Sequence, residues 1–465
     1  MRWFRIVVSI FLLSLSSVPY SQLVFSAQPS DNNALLRLDA FEEQLRLMRK
    51  DHQQALDNMN QRVEDLLNNE NTPSRTNNTE HNSLDQRVEE LEDHTVNLEA
   101  DLDSVTQSLQ DRVHLNLYAT LEFESFQHTK PVFDARNIEL FADVSLTNRL
   151  RVFAEIEFER TAKTSGGNRQ GDVEVEQGWM EFRIHEMFKP RAGVILVPFG
   201  RFNLEHFDPV RDLTARPIAM RRVVPVTWAE AGAGFVGSAF MGDHFSNTWL
   251  KDLTFDYQFF VINGLTNRLS DTSTRNARGA FGSDNNANKA TVGRLQTTII
   301  SDVELGVSGY WGNYDAQDHS IRGLDTDWKF VFGPIEVIGE YAWLWLEKGG
   351  VENGSPAISV PRTLQGGYLQ ANYHFWFNGL NETFLGQGFS SPAFTGVIRY
   401  GHARIADDGD TGSRPNKESR WTFGLNYRPV ENFVVKMEYQ LNHATNEALE
   451  RGDFNGFLTS VTAAF

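Results

Sequence analysis

Between residues 200 and 230 the sequence gathers five arginines, Arg201, Arg211, Arg216, Arg221 and Arg222, against Glu205, Asp208, Asp212 and Glu230. Guanidinium and carboxylate groups on opposite sides of a narrow aqueous passage create a transverse field that sorts solutes by size and charge. The same residue types also form buried Arg–carboxylate pairs that fix a segment in place and touch no solute. Both readings stand at the level of sequence. A second charged set, Glu122, Glu124, Glu155, Glu157 and Glu159, sits at alternate positions of two extended segments, so the acids of each segment share one face. Asp256 and Glu438 follow the same rule, and the polar faces carry more acid than base.

Other chemistry is not signalled. The histidines, His185-Glu186 included, lack metal-ligand spacing such as H-E-x-x-H. Asp407-Asp408-Gly409-Asp410 has the start of a calcium loop without the glutamate at its twelfth position. There is no G-x-S-x-G elbow and no P-loop, and with no cysteine there is no thiolate metal site, disulfide or Cys nucleophile. The expectation is a chain that is no enzyme and uses no cofactor or metal, leaving only hydrolytic residues that would converge from distant strands.

These charges must be positioned by extended structure. The 465 residues include 35 Gly and 34 Phe, a pairing that leans toward β structure, and carry a net charge of −18. So acidic a chain is no partner for nucleic acid, whose binding needs clustered Lys/Arg. Beyond the N-terminus no 18-residue apolar run would make a spanning helix. Residues 1–27 read as a signal peptide: Arg2 and Arg5 precede the apolar run from Ile6 to Leu15, which is too short to span a bilayer. Residues 28–112 read as an α-helical coiled coil. Leu84, Val88, Leu91, Thr95, Leu98, Leu102, Val105 and Leu109 repeat at alternating spacings of four and three, and Leu38 to Leu66 do so with one slip. An amphipathic helix folding back on its own domain is the alternative. The Asn-rich stretch 68–83, with Pro73, is a linker between the two seams.

From residue 113 to 465 the period becomes two. Leu115, Leu117, Ala119, Leu121 and Phe123 alternate with polar residues, as do Leu253 to Val261, Trp421 to Tyr427 and Phe433 to Leu441. The expected strands are 114–126, 134–147, 149–162, 172–184, 189–199, 231–242, 252–263, 290–300, 302–314, 321–332, 334–347, 362–376, 392–405, 417–428, 432–444 and 453–465. Their lengths, roughly eleven to fifteen residues, suit tilted bilayer-crossing strands. Connections after even-numbered strands are mostly tight (Asn148, Ser301, Gly333, Pro429 to Glu431), and those after odd-numbered strands are often long and polar. Transmembrane barrels show this asymmetry. Phe377 to Ser391 breaks it, as a decorated turn or a miscounted strand. The fold class expected is therefore all-β: a transmembrane antiparallel β-barrel of about sixteen strands preceded by the coiled coil. Trp343, Trp345 and Trp421 are candidates for an aromatic girdle or for ordinary sheet packing.

The terminal strand ends in Phe465, and this resembles the C-terminal signature of bacterial outer-membrane proteins. The stretch Pro190 to Arg201, with Val197-Pro198-Phe199-Gly200-Arg201 at its end, resembles the "aG…vPFGr" strand of the phosphate-selective porin (O/P) superfamily. Asp212-Leu213-Thr214, Arg216-Pro217, Thr227-Trp228 and the Gly-rich Ala231 to Phe235 follow as in that superfamily. The resemblance implies a sixteen-stranded, homotrimeric diffusion channel in the bacterial outer membrane, in contact with its lipid and lipopolysaccharide. It also implies that residues 200–230 fold inward as the pore constriction, with Arg201, Glu205, Asp208, Arg211, Asp212, Arg216, Arg221 and Arg222 as solute-facing groups. The coiled coil then lies in the periplasm, where peptidoglycan is a partner it could reach. The expected function is passive diffusion of small hydrophilic solutes or ions. Some porin-like proteins with an N-terminal coiled coil resemble siderophore uptake channels that need no TonB, and a tether between outer membrane and cell wall is a further alternative. Phosphate itself is disfavoured: ten of the 43 Lys/Arg and 19 of the 61 Asp/Glu lie before residue 113, which leaves an excess of acid in the barrel segment.

Overall fold

The computed structural model describes residues 112–160, 171–242, 250–269, 273–279, 281–282, 289–348, 360–406, 416–445 and 454–465. The signal peptide and coiled coil expected before residue 112 lie outside the described residues. So does the Asp407 to Asp410 motif.

Sixteen strands follow in chain order: β1 (Val113–Phe126), β2 (Val132–Ser145), β3 (Leu150–Glu159), β4 (Asp172–Phe182), β5 (Lys189–Leu196), β6 (Ala229–Phe240), β7 (Thr254–Ile262) and β8 (Ala290–Ile300). The second half comprises β9 (Val303–Asn313), β10 (Ser320–Phe332), β11 (Ile335–Leu346), β12 (Thr363–Phe375), β13 (Ala393–Ala406), β14 (Asn416–Val430), β15 (Phe433–Ala444) and β16 (Gly456–Ala464). Each pairs antiparallel with its sequence neighbours, and β1 pairs with β16, so the sheet closes into a barrel with no free edge. The closing seam runs from Tyr118 opposite Ala464 to Phe126 opposite Gly456. Phe377 to Ser391 is a decorated turn carrying a short 3-10 helix, Asn378–Leu380, and the strand count stands at sixteen.

The barrel is inside-out relative to a soluble protein. Leu369 and Trp311 are 52% and 63% exposed on the outer face, while Glu340, Asp325 and Thr422 are fully buried within. An apolar belt of this extent needs a hydrocarbon surrounding, and alternation is how a strand supplies one face to lipid and one to water. Trp345 and Trp421 are among the exposed residues, and Trp421 packs its ring 4.8 Å from Tyr400 across the strand pair. No helix among the described residues is long and apolar enough to cross a membrane.

Two irregularities alter which residues face inward. The β1–β2 register slips so that Arg136 has no partner, between Ala135 opposite Leu121 and Asn137 opposite Thr120. The β3–β4 register slips in the same way at Glu176, between Val175 opposite Ile156 and Gln177 opposite Glu155. A β-bulge adds one residue and so reverses the facing of everything beyond it. β5 also ends early. Expected to reach residue 199, it stops at Leu196, because Gly200 (φ 83°) turns the chain away from the wall. Glycine is required at that turn because φ 83° with ψ 160° is a backbone conformation that side-chain-bearing residues rarely adopt.

The interior is not uniformly polar as the alternation implied. Inward residues of β7 to β13, among them Phe260, Ile262, Val292, Tyr310, Ile321, Leu344 and Leu364, bury against Val197, Phe199, Met220, Val223, Val226 and Trp228 of the segment after β5. This apolar core inside the barrel fixes where that segment lies.

Candidate functional site

The segment between β5 and β6 holds two single-turn helices, α1 (Arg201–Leu204) and α2 (Ala219–Arg222). Its contacts give its path. His206 Nε2 meets Glu176 Oε2 of β4 at 2.8 Å, and Asp212 Oδ2 accepts from Asn372 Nδ2 of β12 at 2.7 Å. β4 and β12 are half the circumference apart, so a segment touching the inner faces of both crosses the interior.

The crossing is stitched down along its length. Asn203, fully buried, donates to the Val197 and Trp228 carbonyls at 2.8 and 3.0 Å and accepts from Trp228 N at 2.8 Å, which closes the base of the segment. Arg201 bridges Asp327 (3.2 Å), Glu304 (2.7 Å) and Glu205 (3.1 Å). Burial works against its charge, but those three carboxylates hold its pKa above the usual arginine range. Asp327 is also gripped by Arg294 at 2.5 and 3.0 Å. Phe202 N donates to Glu340 Oε2 at 2.8 Å. Farther along, Arg211 pairs with Asp208, whose carbonyl accepts from Lys436 Nζ at 2.5 Å. Thr214 and Ser460 share hydroxyls at 2.8 Å, Arg399 donates to the Ala215 carbonyl at 2.6 Å, and Arg222 pairs with Glu418 of β14 at 2.9 Å.

The expected site residues therefore divide. Arg201 and Asp208 are tied into ion pairs and 4% exposed each. Asp212 is held between Asn372 and Arg428, and its burial pushes its pKa up. Glu205 keeps about half its side chain exposed beside Arg201. Arg211, Arg216, Arg221 and Arg222 instead line a cavity of about 360 Å³ between the crossing segment and strands β14, β15, β16, β1, β2 and β3.

That cavity draws in residues the sequence did not single out. Arg136, Arg160, Arg275 and Arg420 join the four arginines of the segment, against Glu122, Glu124, Glu159 and Glu418. Eight guanidinium groups face four carboxylates, a formal excess of four positive charges. Some are compensated locally: Arg136 pairs with Glu159 at 2.7 Å, and Arg160 with Asp134. Arg216 and Arg275 both donate to the Val226 carbonyl. Burial, then the neighbouring arginines, press Arg275 down to about 9 and Arg211 to about 10, and both groups remain cationic at neutral pH. The acidic wall expected from β1 and β3 is split as well. Glu122, Glu124 and Glu159 line the cavity, Glu122 itself only 7% exposed, whereas Glu155 and Glu157 do not line it and are buried. Two signals were available in the sequence, the alternation that aims Arg420 inward and the charge of Arg136. Only the bulge turns Arg136 in. Glu139, Glu155, Glu176 and His206 form a separate buried cluster with the donor types of a metal site.

Comparison with known proteins places this geometry. No family model matches the chain. An uncharacterized protein of Aquifex aeolicus is 22% identical over 327 residues, 66% of this chain and 70% of that protein. Among solved structures, OmpF of Salmonella typhi in complex with daunomycin superposes with a TM-score of 0.52 at 13% identity, over 76% of this chain and 97% of that one. The outer-membrane channel DcaP of Acinetobacter baumannii gives 0.48 at 9% identity, with the same coverage. The fold is that of a porin. It is a closed antiparallel barrel of sixteen strands.

Proposed function

We propose that the chain is a bacterial outer-membrane porin, a passive diffusion channel for small hydrophilic solutes, narrowed by residues 200–230 and biased toward anions. The observation that carries this is the segment crossing the interior with an arginine-lined cavity on one side. A solute entering that cavity meets Arg216, Arg221 and Arg222 from the segment and Arg420 from the wall. Fixed cations lower the energy of an anion there and raise that of a cation. The anion bias departs from the expectation that net barrel charge raised. The sequence resemblance to the phosphate-selective superfamily supports the channel reading and names no solute. We further propose the homotrimer that the resemblance implies, with residues 28–112 in the periplasm.

Single-channel recording in a planar bilayer tests it. The expected result is steps in groups of three and a reversal potential in a salt gradient that reports anion preference. Cation preference would refute the role of the arginines, and absence of conductance would refute the channel.

A further inference from the structure

Beneath the crossing segment lies a cluster that channel function does not use. Glu139 of β2, Glu155 of β3, Glu176 of β4 and His206 of the segment each contribute a donor atom, and these atoms all lie within 4.8 Å of one another. All four residues are buried, at 1%, 0%, 2% and 2% exposure.

The hydrogen bonds around the cluster are divided in one consistent way. Asn137 Nδ2 holds Glu139 Oε1 at 2.7 Å, Gln177 Nε2 holds Glu155 Oε2 at 2.6 Å, and Thr227 Oγ1 holds Glu176 Oε1 at 2.6 Å. Each glutamate thus has one oxygen fixed by a neutral donor, and the second oxygen faces the cluster. Glu155 Oε1 accepts no hydrogen bond although its residue is fully buried, and it points at His206 Nε2 from 3.7 Å. Glu139 Oε2 has no hydrogen bond of ordinary length either, although the Tyr118 hydroxyl is close. Glu176 Oε2 stands 2.8 Å from the same nitrogen. His206 Nδ1 lies 3.0 Å from the Asn203 carbonyl, which can only accept, so Nδ1 donates there, while Nε2 donates to Glu176 Oε2 in the metal-free protein and gives up that proton when a cation takes its place. An imidazole fixed by an Nδ1–H bond to a backbone carbonyl, beside carboxylates fixed by outer donors, is the arrangement that holds metal ligands.

We propose that Glu139, Glu155, Glu176 and His206 bind one divalent transition cation of the manganese, iron or zinc class. Two ligands about 2.1 Å from one ion stand about 3 Å apart when adjacent and about 4.2 Å when opposed. His206 Nε2 lies 2.8 and 3.7 Å from its two carboxylate neighbours and all four donor atoms fall within 4.8 Å, so a small contraction completes the shell. Three carboxylates and one imidazole favour such an ion over calcium or magnesium, which prefer oxygen alone. The ion neutralises acids that burial otherwise leaves under-compensated, and it ties His206, hence the crossing segment, to β2, β3 and β4. The bulge at Glu176 makes the site possible, because it turns Glu176 and Gln177 into neighbouring inward positions. Glu174, half-buried, forms a second carboxylate group with Glu157 and Glu176 beside the site.

The test is Mn2+ titration of the full-length protein, purified in detergent and stripped with chelator, followed by electron paramagnetic resonance. The expected result is one Mn2+ per chain whose pulsed spectrum shows nitrogen coupling from an imidazole. Glu155→Gln, close in shape and neutral, is expected to weaken binding at least tenfold, while Glu124→Gln, an acid of the arginine cavity, leaves it unchanged. Bound Mn2+ without nitrogen coupling, or no stoichiometric binding to the wild-type chain, would overturn the proposal whether or not the variants fold. Equal binding by folded Glu155→Gln would overturn it too.

Discussion

Replacing Arg221 and Arg222 by glutamine removes two of the eight cavity arginines and halves the formal excess of charge. The size of the effect follows from Coulomb's law. At roughly 8 Å in a water-like medium a unit charge shifts an anion by about −0.5 kcal/mol and a cation by about +0.5 kcal/mol. Screening at 0.1 M salt, with a Debye length of about 10 Å, leaves a little under half of that. Two charges, each acting oppositely on anion and cation, then change their relative permeability by about 0.9 kcal/mol, or about fivefold toward cations. At 0.01 M the Debye length is about 30 Å and the change grows to about fifteenfold. The assay is the reversal potential at both salt concentrations, with channel incidence as the check on folding. A salt-independent shift, or none, would mean that the Arg222–Glu418 pair and its neighbours serve only to anchor the segment. The arginine cavity would then not set selectivity.

Arg201→Met strips Asp327 and Glu304 of a buried partner and is expected to cost about 3–5 kcal/mol, read as a lower temperature of heat-induced unfolding on gels. Asn203→Ala leaves the buried Trp228 amide without an acceptor and removes one of two hydrogen bonds at each of the Val197 and Trp228 carbonyls, which keep Phe199 N and Val197 N, a loss of about 1–3 kcal/mol. Trypsin should then cut the segment at its arginines, where it spares the wild type. Asp212 is pushed up by burial, so the folded state binds its proton more tightly than the unfolded chain does. Its contribution to stability is full below about pH 4 and is lost as pH rises through its folded pKa. Asp212→Asn should flatten that slope and melt no lower than wild type at pH 7; a lower melting point at pH 7 would show that the Asn372 and Arg428 contacts outweigh desolvation. Deleting residues 28–112 is expected to leave a conducting barrel, and loss of barrel assembly would show that the segment is needed for more than tethering.

The strands were legible because one physical constraint repeats sixteen times. Each must show lipid one face and the interior the other, and a period of two states this in sequence. The closing strand through Phe457 and Val461 falls where alternation placed it, and the turn expected at Pro429 to Glu431 lies within two residues of that place, after β14 runs on to Val430. Bulges are where the legibility fails. Asn137 and Glu139 face in by simple alternation, but Arg136 and Glu176 do so through one inserted residue each, and nothing in the local pattern marks an insertion. The crossing path of residues 197–228 was signalled by resemblance and not by period, since its apolar residues pack on β7 to β13 without repeating. The carboxylate cluster was invisible for a different reason. Its four members lie on three strands and a loop, and their proximity exists only once the barrel closes and the segment folds in.

The same geometry separates the barrel's net charge from the charge at the cavity. The barrel segment carries more acid than base, yet the cavity carries twice as many arginines as glutamates. The missing acids are not on the open wall. Asp325, Asp327 and Glu340 sit fully or almost fully buried under α1, and Glu139, Glu155, Glu157 and Glu176 lie beneath the segment near His206. Burial takes them out of the water that a permeating solute crosses, and pairing with Arg201, Arg294 or a bound ion cancels much of their field. The arginines meet the opposite condition. A guanidinium keeps its charge even when pressed down to about 9, as at Arg275, so arginines can line a half-buried cavity where carboxylates would take up protons. Under the proposed channel reading, selectivity follows the charges that the crossing segment leaves facing the cavity, and most of these are arginines.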